Sequence, residues 1–199
     1  MMLRKFTLSA AALALALPLG ATPALAQQKG LTCMESAYTD SQRSEIAELG
    51  PQVRFGDGNA ANPAADRLGS IAMAAVEQCI TRHGWNEELA MYAAFYELGR
   101  LNNIAYRASG ELTPTQLRQI DDALATGDRT RLWEAIERGL MGGMTGQDSA
   151  PPAGDAITLG AFVLGAGLGD DEANAVKVGI LLGFMGLQRV GEREFRSLQ

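Results

Sequence analysis

The 199-residue chain contains one histidine and two cysteines, and each scarcity removes a class of chemistry. With His83 alone, any serine or cysteine hydrolase that needs an imidazole base would rest on that single residue. Cys33 and Cys79 are too few for a disulfide-dense scaffold or a four-thiolate zinc centre. Positive charge is also short: 17 Lys and Arg face 23 Asp and Glu, a formal charge of −6 with pI near 4.9. That balance argues against a nucleic-acid binder, which displays net basic surface. No apolar run reaches the roughly 20 residues that cross a bilayer. Hydrophobic (47%) and charged (20%) fractions are those of a globular chain, which excludes a disordered, collagen-like or multispan membrane protein.

What is present begins with a leader. Arg4 and Lys5 precede an apolar run from Phe6 to Leu19, and Ala24-Leu25-Ala26 supplies the small-x-small pattern of a signal-peptide cleavage site. Residues 1–26 therefore read as a signal peptide, with the mature chain periplasmic or secreted. Cleavage after Ala26 removes two bases and no acid, taking the net charge from −6 to −8. In an oxidising compartment Cys33 and Cys79 are expected to pair as a structural disulfide.

The remainder carries the 3.6-residue period with recognisable ends. Thr32-Cys33-Met34-Glu35 has the pattern of a capping box opening a short helix, and a second helix spans about Ser41 to Leu49, stopping at Gly50-Pro51. Asn62-Pro63 is a cap followed by proline at the first helical position, opening a helix to His83 whose Leu68, Ile71, Ala72, Ala75, Val76 and Cys79 share a core face. Gly84 ends it, and Asn86 caps the next, Glu87 to about Arg107. There Met91, Ala94, Phe95, Leu98, Leu101 and Ala105 form the expected core face, while Glu97, Arg100, Asn103 and Arg107 form the solvated one. Thr113 with Gln116 opens another helix, stopping at Gly127; Asp128 caps a further one through Trp133, Ile136 and Leu140 to Gly142-Gly143. Gln52 to Phe55 is the one strand candidate.

These signals predict an all-α fold, a compact bundle of about six to seven helices with one disulfide and a Gly-rich C-terminal helical hairpin. The expected organisation is a disulfide-tied body over 27–144, a turn-rich linker loop over 145–154, and the hairpin over 155–199 packed on the body. The hairpin is unusual in composition. Ala156 to Gly169 carries no charge, and in the last helix, opened by Asp170-Asp171-Glu172, Ala175, Gly179, Gly183 and Gly186 line one narrow face. Gly179, Gly183 and Gly186 are the candidate interface, and Ala156 to Val190 the segment expected to meet a partner.

Catalytic constellations are hard to assemble. His83 sits in a last helical turn, where imidazolium interacts well with the helix dipole, and its spacing to Glu87 is interrupted by Gly84. Gly56-Asp57-Gly58-Asn59-Ala60-Ala61 matches a dinucleotide fingerprint without the parallel sheet that such a site needs, and as a calcium loop it places Leu68 where the terminal Glu belongs. Asp121-Asp122 and Asp170-Asp171 read as solvated or capping acids. Glu97 with Arg100 one turn on, beside Tyr92 and Tyr96, is the candidate binding cluster, against an ordinary i,i+3 ion pair on a solvated face. No catalytic residue, metal site or cofactor is expected. The sequence thus points to an exported, non-enzymatic helical protein acting through protein–protein contact or self-association, with peripheral membrane contact left open. The alternative is a small-molecule or lipid-binding helical protein, with a pocket near Met91, Phe95, Tyr92 and Tyr96.

Overall fold

The computed structural model describes residues 30–55, 62–144 and 152–199. The expected leader 1–26, the glycine motif at 56–61 and most of the turn-rich stretch 145–154 lie outside the described residues. Those described form eight α-helices and no strand: α1 Thr32–Ala37, α2 Asp40–Leu49, α3 Pro63–His83, α4 Glu87–Ala108, α5 Pro114–Ala125, α6 Thr130–Met144, α7 Ala153–Gly165 and α8 Glu172–Ser197. The all-helical bundle is as expected. The strand candidate is not, since Gly50–Gln52 forms a 3-10 turn and the Arg54 backbone that follows bonds to the Asn62 side chain, with no strand among the described residues.

Most helix ends follow local side-chain chemistry. Asn62 accepts from the Ala65 N–H with Pro63 at the first helical position, and Asn86 accepts from the Leu89 N–H at 2.9 Å. Thr113 and Gln116 form a reciprocal capping box, as do Thr39 and Gln42. Caps of this kind each contribute on the order of 1 kcal/mol. Gly84 closes α3 at φ +65°, a left-handed conformation that glycine adopts without a Cβ penalty. Thr32, expected to be the cap, is instead the first helical residue. The turn tightens one residue earlier, Cys33 and Met34 N–H donating to the Gly30 and Leu31 carbonyls, so Leu31 holds the cap position.

Cys33 and Cys79 are joined, with Cα atoms 6.0 Å apart, tying α1 to α3. The bridge lies in a core of α1–α4 residues that includes the whole expected face of α3 and is closed by Phe195 from the end of α8. A second core joins Tyr106, Leu112 and Ile120 to α6, α7 and the first half of α8. Thus α8 belongs to both. It runs antiparallel along α4, and at two points the backbones touch. A Cβ on Gly99 would fall 2.5 Å from the Gln188 nitrogen, and one on Gly191 would fall 2.4 Å from the Tyr96 nitrogen. The hairpin segment therefore supplies α4 with its principal partner as well as a partner for α7.

This placement corrects the helical wheel of α4. Glu97 is fully buried and Met91 is 43% exposed. A wheel with one core face assumes one packed side; α4 is packed by α3, by α8 and, over Glu97, by the α1–α2 connection.

Candidate functional site

Two groupings concentrate the expected functional residues. The first is the Glu97 cluster. Arg100 forms a fork on the carboxylate, Nε to Oε2 at 2.9 Å and Nη2 to Oε1 at 2.6 Å. The Tyr38 hydroxyl donates to Oε1. Burial pushes the Tyr38 phenol well above its usual value, and the adjacent carboxylate pushes it further, so it remains a protonated donor. Burial opposes the charge of Arg100, but the Glu97 hydrogen bonds outweigh it and hold the guanidinium above its usual range. Both carboxylate oxygens are therefore occupied, with Glu97 fully buried and Arg100 partly so, in contrast to the solvated face expected for them. Removing one partner of such a pair leaves an uncompensated buried charge, on the order of 3–5 kcal/mol. The cluster clamps the connection at Tyr38 onto α4.

Tyr38 had no signal in the sequence. It lies in a two-residue connection, 59 positions from Glu97, where no periodicity links them. Tyr96 borders the cluster, its phenol raised by burial, with Arg100 and Glu97 acting on it in opposite senses. Tyr92 points elsewhere, its ring edge-on to Phe95 at 6.0 Å. The outer side of Arg100 opens on a small cavity of about 230 Å³ shared with Glu35, Arg43 and Ile104. His83 stacks on Trp85 at 5.9 Å, with Nδ1 buried and unpartnered. Among the described residues no group of three or more His, Cys, Asp or Glu is placed to hold a metal ion.

The second grouping is an apolar cavity of about 500 Å³ between α6, α7 and α8. Leu132, Ile136 and Leu140 wall it from α6 and Leu159 from α7, while Gly139, Gly143, Gly179 and Gly183 leave its volume open. It is not the pocket expected beside Met91 and Phe95. The three interface glycines fall to different uses. Gly186 is a packing position, where a Cβ would meet Ile136 Cγ2 at 2.6 Å. A Cβ on Gly179 would make ordinary contact with Leu159 at 3.7 Å, and one on Gly183, Gly139 or Gly143 would meet nothing among the described residues within 4 Å. Helix–helix approach therefore does not require those last three glycines, although each weakens a helix interior by about 1 kcal/mol relative to alanine.

The ionisable group lining the cavity is Asp155, buried at its edge. Arg138 forks its carboxylate at 3.0 and 2.6 Å, and these hydrogen bonds hold the carboxyl below its ordinary range, so the pair stays ionised and mutually satisfied. Outside the cavity α7 turns Ile157 (71% exposed) and Leu164 (58%) to solvent, with Val176 of α8 also exposed. Comparison with protein-family models, curated proteins and solved structures finds no match for this chain. No helix among the described residues is long and apolar enough to cross a membrane.

Proposed function

We propose that this is an exported helical binding protein whose α6–α7–α8 cavity takes an apolar small molecule or acyl chain. The observation that supports this is open volume at Gly139, Gly143 and Gly183 in helices that would be more stable with alanine. The cavity's size falls within the roughly 300–1,000 Å³ of small-molecule sites, and its walls are apolar with one satisfied ion pair at the edge. Export rests on the leader pattern of residues 1–26, and the buried disulfide suits an oxidising compartment. Protein–protein contact, the first expectation from the sequence, draws support from exposed Ile157 and Leu164.

Titration with dodecanoate, together with native mass spectrometry of gently purified protein, tests the proposal. Saturable binding, weakened at least about tenfold by Gly183→Leu with helical content retained, is the expected result. A clean apo mass with no saturable dodecanoate binding would sink it. Self-association abolished by Ile157→Lys, without ligand uptake, would favour protein contact instead.

A further inference from the structure

We infer that a second, polar site lies on the other side of α6, where Arg129 and Arg189 line one cavity of about 450 Å³ and together bind a small oxyanion, a carboxylate or phosphate group. This site is independent of the apolar cavity. The α6 residues that line it, Thr130, Trp133, Glu134 and Glu137, fall roughly half a helical turn from Leu132, Ala135 and Gly139. Arg189 lies with its guanidinium carbon 4.4 Å from the centre of the Trp133 ring. Arg129 lies 5.5 Å from the Phe162 ring centre, and its Nε donates to the Ala123 carbonyl at 2.9 Å. Among the described residues, neither guanidinium has a carboxylate within ion-pair distance, whereas Arg193 in the same cavity is held by Glu137 and Glu194.

The carboxylates facing the cavity are largely engaged. Asp128 accepts from the Thr130 N–H at 2.8 Å and feels the charges of Arg131 and Arg129, Glu137 accepts from Arg193, and Glu134 stands exposed at the rim. A guanidinium held over a ring face keeps N–H donors for an anion: those of Arg189, and the terminal nitrogens of Arg129, whose Nε is taken by the Ala123 carbonyl. Thr130 begins α6, but its N–H is already taken by the Asp128 carboxylate, so the donors left to an anion are those of the two guanidinium groups. Two guanidinium groups, each held near a ring and without a carboxylate partner among the described residues, line one cavity and together make a recognition site for an oxyanion.

The test is titration with inorganic phosphate and, separately, acetate, with ionic strength held by chloride. It follows the Trp133 indole N–H resonance, with the buried Trp85 indole as internal reference. A saturable shift at Trp133 is expected, weakened about tenfold or more by Arg189→Gln or Arg129→Gln and unchanged in the exposed α5 variant Arg118→Gln. A response to both anions assigns the shared oxyanion chemistry; a response to one assigns phosphate or carboxylate. A linear, non-saturating shift, or one that Arg189→Gln leaves unaltered in the folded protein, overturns the proposal.

Discussion

Glycine-to-alanine exchange in α4 and α8 should change stability in opposite directions at positions that look alike in the sequence. At Gly183 the added methyl enters open space, so only the helix-propensity gain of about 0.8–1 kcal/mol operates. For a chain of this size each kcal/mol moves Tm by about 2–4 °C, and Gly183→Ala should rise by that amount. At Gly191 the same methyl would lie 2.4 Å from the Tyr96 nitrogen and 2.6 Å from the Tyr92 oxygen. Both are backbone atoms and cannot rotate aside, so α8 must lift from α4 along their shared face. Overpacking of this kind opposes folding by about 1–3 kcal/mol or more, which exceeds the propensity gain. Because the clash is with fixed backbone the upper end applies, about 3 kcal/mol; less the propensity gain of about 1, Gly191→Ala and likewise Gly99→Ala should lose about 2 kcal/mol net and melt roughly 4–8 °C below wild type. Thermal unfolding followed by circular dichroism at 222 nm, with the disulfide intact, reads all three. Gly191→Ala melting at or above wild type would refute the backbone contact, and a destabilised Gly183→Ala would refute the open space.

Two further outcomes follow from the same packing. Replacing Cys33 and Cys79 together by alanine releases a cross-link between positions 46 apart, worth roughly 4 kcal/mol in the chain-entropy model, and an unchanged denaturant midpoint would count against it. Tyr106 is the pH case: burial, then the charge of Glu111, raises its phenol to about 12, and its hydroxyl has no hydrogen-bond partner. The unfolded chain releases this proton near pH 10 while the folded one still holds it, so this contribution is complete below pH 10 and is lost as pH rises toward 12. Tyr106→Phe keeps the ring contacts with Phe55 and Phe184; it should hold its Tm at pH 7 and decline less steeply than wild type between pH 10 and 12.

Local chemistry made several elements readable. Asn62-Pro63, Asn86 and the Thr113–Gln116 box act within a few residues of themselves, so they placed α3, α4 and α5 without knowledge of the rest. The core face of α3 was equally legible, because one side of that helix is buried and the period shows it. The Glu97 cluster was legible in part. The i,i+3 spacing brought Glu97 and Arg100 together, but the burial of the pair depends on Tyr38 arriving from a distant connection.

The sequence by itself determined the all-helical class, many of the helix ends and the identity of the cysteine pair, since each follows from propensity, capping or redox compartment. Only the tertiary structure decided what each apolar or glycine position meets. Gly99, Gly183, Gly186 and Gly191 are equivalent as residues; what distinguishes them is an opposing backbone at 99 and 191, an isoleucine at 186 and empty volume at 183. The same holds for charge, since Arg189 and Arg193 lie four residues apart on α8, one stacked on Trp133 and the other paired with Glu137. Periodicity reports that a face is covered; the partner on that face comes from elsewhere in the chain, and contact between distant segments leaves no local pattern to read.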